Sequence, residues 1–577
     1  MFMDKLSKAT ASLALCALCA MSAQATDRQM LHGHVPRAVT DLNLPAIGRP
    51  PANATFQLSI GLPLRNKEGL DAFLRDIYSP GSPNFRQYLT PQQFTEQYGP
   101  TVEDYQALPE VAKASGLTVT STSSNRLLLD VKASVADVER VFHVTMRLYQ
   151  HPTEARTFCA PDVEPSLDLK VPVLFIGGMD SYVLPHRVKE KPIADAQGEN
   201  GNKPFEGGSG PKGTYMAQDL RDAYAPDVGL GGSAQSIGLL EYSAFYPAPI
   251  ASYQYSNGFP YVINVENWEF DGATGVPVQH DTNAYSEVEV DIEMAMALTV
   301  NLDNVIVYEL PSIAITNYQG IPPDDALNWA ANSDLANQIS SSWEYQVTPN
   351  TDQIFQQMGA QGQSFFQASG DAGGRTAPNV YSPFDDAYVT LVGGTTLTTK
   401  ANGSYGSETV WNNQTLASGG GTTTNYTIPW WQAGVSMSAN GGSTTQRNMP
   451  DVAMVANNVF TYYGGDPIQS GGYSGTSVAA PLWASFMALV NAQAAAKGLP
   501  SVGFANPAIY AIGEGTDYNS CFNDITSGNN GCNNSTVTFS AVTGYDLCTG
   551  WGTPKGQAMV NALLYPPPIM KYVRFGN

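Results

Sequence analysis

The chain has 577 residues, a formal net charge of −22, a pI near 4.6 and only 14% charged residues. A chain of that length divides into more than one domain if each part is to bury a core. The acidic balance, with no basic stretch interleaved with aromatics, excludes nucleic acid as the expected partner. It suits a protein that must not gain a large positive charge at low pH.

Residues 1–25 join a short charged start (Asp4, Lys5, Lys8) to an apolar stretch from Ala11 to Met21 and a Ser-Ala-Gln-Ala ending. This is the pattern of a secretory signal peptide, too short and wrongly flanked for a membrane span. No other apolar run reads as long enough to cross a bilayer, so a soluble, exported protein (extracellular or periplasmic) is expected, with no membrane partner. Cys159, Cys521, Cys532 and Cys548 remain after removal of the leader. In an oxidising compartment a Cys521–Cys532 bridge would clip a short loop, worth ~2–3 kcal/mol, and Cys548 competes for either partner.

Between about residues 53 and 187 the order is strand (FQLSIGLPL), helix (NKEGLDAFLRDIYS), a second helix (VEDYQALPEVAKASG), two strands (LTVTSTS, RLLLDVKAS), helix (SVADVERVFHV) and strand (TMRLYQ). Strand-helix-strand-strand-helix-strand is the ferredoxin-like order. The stretch between His186 and Gly213 is polar, Gly/Pro-rich and aperiodic, an exposed linker where a precursor would be cut. From Thr214 apolar strand candidates (SIGLLEY, NVIVYEL, NQISSSW, QSFFQAS, YVTLVGG) interleave with helices, which predicts a doubly wound parallel sheet covered on both faces. Sites in such sheets form beyond the carboxyl ends of the strands.

The most informative stretch is GGYSGTSVAAPLWASFMALVN, Gly471 to Asn491. A small, turn-prone segment leads into a long apolar helix and puts Ser477 at or near its start, where the helix dipole favours negative charge. An N-cap serine is the plain reading; a nucleophile is the other, and a nucleophile needs a base. Of the six histidines, only His280 follows the linker. Just after it, SEVEVDIEMAMAL sets Glu287 and Asp291 four apart on one helix face, with Glu289 and Glu293 a second such pair. Apolar residues on several sides make this a buried helix, where carboxylates require a reason.

Gly-Thr-Ser followed by Ala-Ala-Pro resembles the nucleophile segment of the subtilisin-like serine peptidases and of their acid-acting relatives, the sedolisins (serine-carboxyl peptidases, S53-type). The SPNFRQYLTPQQF segment is similar to that family's pro-domain, and the E-x-x-x-D helix to its catalytic helix. The resemblance implies Ser477 as nucleophile, Glu287 as general base and Asp291 as its supporting carboxylate. It implies Asp371, in the Ser-Gly-Asp-Ala-Gly loop after a strand, as the oxyanion-hole aspartate, acting in its protonated form. Ser341-Ser342-Trp343-Glu344 matches a cleft-edge motif in which Glu344 replaces the usual Gly. Ser418-Gly419-Gly420-Gly421 and Pro450-Asp451-Val452-Ala453 also fit family segments that line or support the cleft. Two oxygen-rich turns, Asn523–Gly528 and Val542–Asp546, suit Ca²⁺. The family's calcium loop maps one ion onto the side chains of Asp524 and Asp546 and the carbonyls of Ile525, Val542 and Gly544.

The expected layout is signal peptide 1–25, ferredoxin-like α+β pro-domain 26–186, linker with processing site 187–213, subtilisin-like α/β catalytic domain 214–566 and tail 567–577. The expected activity is acid endopeptidase action on protein or peptide substrates by a monomer, with its own pro-domain as intramolecular inhibitor. The alternatives are tripeptidyl exopeptidase action, a neutral peptidase using His280, and a catalytically silent secreted binding protein.

Overall fold

The computed structural model describes residues 28–187, 207–229, 231–312, 320–376 and 382–568. The expected leader at 1–25, most of the 187–213 linker and most of the 567–577 tail lie outside the described residues. In the N-terminal unit four antiparallel strands run in the spatial order Thr118–Thr122, Leu128–Ser134, Thr55–Gly61, Phe175–Gly177. That is the ferredoxin-like order, with one correction to its fourth strand. The Met146–Gln150 segment pairs instead with Ala46–Gly48 and Thr157–Pro161 in a separate sheet, and Phe175–Gly177 takes the edge beside Thr55–Gly61. Both segments are apolar enough to be strands; the longer return of the chain through 157–175 decides which one reaches the sheet, and no local pattern encodes that.

The C-terminal unit is built on an eight-stranded sheet. Its order is Asn264–Glu269, Leu302–Glu309, Gly232–Glu241, Gln338–Ser341, Ser364–Ala368, Thr390–Thr399, then Tyr405–Val410, with Val452–Val455 also paired to Thr390–Thr399. Every pair is parallel except that of Thr390–Thr399 with Tyr405–Val410. Near-continuous burial along these strands shows that both faces are covered. The strand order reverses around Gly232–Glu241, so the crevice at its carboxyl end, where Glu241 sits, is the topological switch point.

Two helices meet over this crevice. Thr282–Ala297 carries the acidic pattern and is buried continuously from Ala284 to Ala297. Thr476–Ala496 runs across the strands and packs along the acidic helix. Among the described residues it is the one helix long and apolar enough to cross a membrane, which corrects the sequence reading, and it is spent inside the core. The N-terminal unit rests on the helices Asp324–Ser333 and Pro349–Gln361. Asn125 Nδ2 donates to Asn328 and Gln357 at 2.6 and 2.8 Å, Gln353 Nε2 to the Leu62 carbonyl at 3.0 Å and Tyr78 to the Gly359 carbonyl at 2.7 Å. Leu70, Leu74, Ile77 and Phe94 join the same apolar cluster as the C-terminal sheet.

The Cys521–Cys532 bridge does not form: Cys159, Cys521, Cys532 and Cys548 are all thiols. Cys521 Sγ faces the Ala558 carbonyl at 3.8 Å, whereas Cys532 Sγ lies 3.4 Å from the Ala372 carbonyl, on a different loop.

Candidate active site

Gly475 caps the Thr476–Ala496 helix at φ 155°, a conformation L side chains rarely adopt, and so brings Thr476 and Ser477 abruptly into the first turn. Four residues on, Pro481 has no N–H to give the Ser477 carbonyl, which therefore lacks its ordinary helical donor. The Ser342 hydroxyl lies 3.4 Å from that carbonyl and 2.8 Å from Asp291 Oδ1, so its single proton is placed between the two. A proline in the apolar run thus ties the serine turn to the acidic helix. Ser477 Oγ is buried and has no hydrogen-bond partner among the described residues.

Four carboxyl groups surround this turn. Glu287, on the acidic helix, accepts from the Tyr473 hydroxyl at 3.3 Å and lies within electrostatic reach of Asp291, Glu241 and Asp371. Asp291, one helical turn on, is hydrogen-bonded to Glu241, and burial followed by the Glu241 and Glu287 charges raises its pKa well above the ordinary range. Glu241 is pushed up to about 8, chiefly by burial, and accepts from Trp343 Nε1 at 2.7 Å. Three buried carboxyls whose neutral donors are one indole N–H and two hydroxyls cannot all be ionised, and the Asp291–Glu241 hydrogen bond requires a proton between those two.

Asp371 stands on the other side of the serine turn. Its Oδ1 accepts from the Thr476 N–H at 2.9 Å and the Thr476 hydroxyl at 2.8 Å, and the Gly370 N–H donates back to Thr476 Oγ1 at 3.1 Å. Oδ2 has no partner among the described residues and is the atom left to carry a proton. Burial first, then the Glu287 charge, raises the Asp371 pKa to about 8, while the Thr476 bonds and the Arg187 charge oppose that. The Ser418–Gly421 segment braces this loop: the Gly419 N–H reaches the Gly370 carbonyl at 2.7 Å, and a Cβ on Gly419 would fall 2.1 Å from the Ser369 carbonyl oxygen. Pro450–Ala453 lies deeper and is a support; Asp451 there is locked to Arg447 and Tyr510, each at 2.8 Å.

The structure therefore brings Glu287, Asp291, Asp371 and Ser477 together. It keeps His280 apart, exposed in the turn before the acidic helix. The second pair on that helix has another task. Glu289 accepts the N–H groups of Gly464 and Tyr246 at 2.7 and 3.0 Å, and Glu293 accepts that of Tyr462 at 3.0 Å. They pin the hairpin of Val459–Tyr463 and Gln469–Tyr473, which delivers Tyr473 to Glu287. Sequence reasoning missed Glu241 and Tyr473 as site groups, and it placed Ser342 and Trp343 at the cleft edge without their bonds to Asp291 and Glu241. For Glu241 the one local signal was a charged residue closing the apolar, buried end of the strand Gly232–Glu241.

At the far end, Asp524 and Asp546 converge on the Val542–Asp546 turn. Both Asp524 oxygens accept the Gly544 N–H at 3.1–3.2 Å, and Asp546 accepts the N–H groups of Val542, Cys548 and Thr549. Asp546 is buried with no cationic side chain against it among the described residues, and its pKa is raised to about 7 by that burial. A buried carboxylate and a second carboxylate thus meet at one turn, oxygen donors of the type Ca²⁺ takes.

The start of the linker reaches the site as well. His186–Arg187 pairs antiparallel with Trp343–Glu344, His186 opposite Glu344 and Arg187 opposite Trp343. From there the pairing points toward Ser342, and so toward Ser477.

An N-terminal ferredoxin-like unit, a subtilisin-like α/β domain and a serine among buried carboxyls, with the imidazole elsewhere, define a serine peptidase made as a zymogen. Residues 44–182 match the family described as "Pro-kumamolisin, activation domain". Kumamolisin of Bacillus sp. (strain MN-32) is 29% identical over 93% of this chain and 96% of its own length. Sedolisin of Pseudomonas sp. (strain 101) is 26% identical over 87% and 86%. The solved structure of Pseudomonas sedolisin (serine-carboxyl proteinase) superposes with a TM-score of 0.52 at 24% identity, covering 61% of this chain and 97% of that one, and supports the fold. Over nearly its whole length the chain is similar to the serine-carboxyl peptidases of the sedolisin family, and its N-terminal unit matches their activation domain.

Proposed function

We propose that this protein is an exported, self-processing endopeptidase that works in acid through an acyl-enzyme on Ser477. Glu287 takes the Ser477 proton as the hydroxyl attacks the scissile carbonyl and returns it to the leaving amine. Asp291 and Glu241 share the proton that keeps the pair from being doubly charged, and so tune Glu287. Protonated Asp371 donates from Oδ2 to the oxyanion, with the Ser477 N–H as second donor. The observation that carries this reading is the convergence of four carboxyls on the Ser477 turn while the imidazole of His280 lies exposed elsewhere.

The pro-domain inhibits by occupying the cleft edge: His186–Arg187 lies on Trp343–Glu344 as a substrate strand would. Endopeptidase action is supported by the same strand, because the chain that lies on the cleft edge at His186 continues upstream into the body of the pro-domain. One Ca²⁺ held by Asp524, Asp546 and the carbonyls of Ile525, Val542 and Gly544 would neutralise Asp546 and fix the turn. That turn leads to Cys548, whose carbonyl accepts the Ser418 hydroxyl at 2.7 Å.

Digestion of an unstructured protein from pH 2 to 8, with sequencing of the products, tests the reading. Internal cuts confined to acid are expected. N-terminal tripeptides alone would replace the endopeptidase assignment, and cleavage at neutral pH that dies in His280→Ala would replace the mechanism.

A further inference from the structure

Glu344 stands where the motif ordinarily has a glycine, and its side chain is already engaged by the pro-segment. His186 Nε2 lies 3.2 Å from Glu344 Oε2, and His186 Nδ1 lies 3.1 Å from the Leu184 carbonyl oxygen. With an acceptor at each ring nitrogen, the geometry suits the doubly protonated imidazolium. In agreement, Glu344 raises the His186 pKa against the opposing effect of burial, and Glu154 adds to that rise. Glu154 belongs to the pro-domain and departs with it; Glu344 remains on the enzyme.

The pairing fixes the direction of the bound chain. Passing from His186 to Arg187 is passing from Glu344 to Trp343, toward Ser342, whose hydroxyl reaches both Asp291 and the Ser477 carbonyl. His186 therefore occupies a position on the acyl side of a bond presented to Ser477. A peptide laid along the same edge sets the side chain of its own residue at that position against Glu344. We propose that Glu344 is a specificity-determining residue, selecting a cationic side chain at the acyl-side position that His186 fills in the zymogen. This rests on the peptidase reading above.

The test is a positional-scanning set of internally quenched peptides cut by the acid-matured enzyme at pH ~5, above the ordinary glutamate value of about 4.3. At each acyl-side position Arg, Lys or His is compared with Ala within the same enzyme, so that each protein is its own reference. The wild type is expected to prefer the cations at one position by about threefold to fivefold in kcat/KM, the scale of a partly exposed ion pair. Glu344→Gln and Glu344→Gly are expected to lose that preference at that position and to keep their ranking elsewhere. Equal cutting of cationic and Ala peptides by the wild type, or a preference that survives in both variants, overturns the assignment and leaves the peptidase reading standing. Cutting of no peptide at any pH overturns the peptidase reading, and this assignment with it.

Discussion

Asp371 offers the sharpest test of how the site handles charge. Its Oδ1 is held by two donors from Thr476, at 2.9 and 2.8 Å, so a proton must reside on Oδ2, and the pKa of about 8 keeps it there through the acid range. The acid form therefore dominates at pH 5 and gives way around pH 8, so wild-type turnover should decline across neutrality. Asp371→Ala removes an oxyanion donor and should lower the rate by about 10²–10³-fold, or ~3–4 kcal/mol, at every pH. Asp371→Asn leaves Oδ1 on Thr476 and puts a permanent N–H donor where Oδ2 was. It should stay within about tenfold of wild type at pH 5 and lose the part of the alkaline decline that Asp371 supplies. The assay is cleavage of the linker in the full-length chain, followed by gel from pH 3 to 9 as a first-order process, which needs no prior maturation. An Ala variant within threefold of wild type, or an Asn variant with an unshifted alkaline limb, would refute the assignment of Oδ2 as oxyanion donor.

Glu287→Gln is nearly isosteric and should lower linker and peptide cleavage by about 10²–10⁴-fold with little change in melting temperature; native-rate cleavage would remove Glu287 as the base. Ser477→Ala should persist as the uncut precursor in acid, and normal maturation of the purified variant would rule out self-processing. Burial raises Glu241 and Asp371 to about 8 and Glu289 to about 7. The folded protein therefore holds protons that the unfolded chain releases near pH ~4, so this stability is complete below about pH 4 and is lost as pH rises toward 8. Calorimetry of the Ser477→Ala precursor should show a melting temperature several degrees higher at pH 4 than at pH 7.5, and a rise instead would contradict the burial of these groups. Chelation of calcium should lower the melting temperature of wild type and leave Asp546→Asn unmoved; equal effects on both would place the ion elsewhere.

Much of this protein was written locally. The alternation of apolar strands with helices from Thr214 onward is a property of neighbouring residues, and it determined a covered parallel sheet without reference to anything distant. The same holds for Ser477 at a helix start and for Glu287 and Asp291 on one face of the next helix, because turn chemistry and the 3.6-residue period act within a few residues. What no window of sequence contained was which distant groups meet. Glu241 and Trp343 joined the site only because parallel pairing sets the ends of Gly232–Glu241 and Gln338–Ser341 side by side at the switch point. Tyr473 arrived on a hairpin fastened by Glu289 and Glu293, and Ser342 found the Ser477 carbonyl because Pro481 had vacated it. The fourth strand of the pro-domain and the thiol state of Cys521 and Cys532 were misread for the same reason. Each depends on where a long return of the chain ends, and tertiary packing alone decides that.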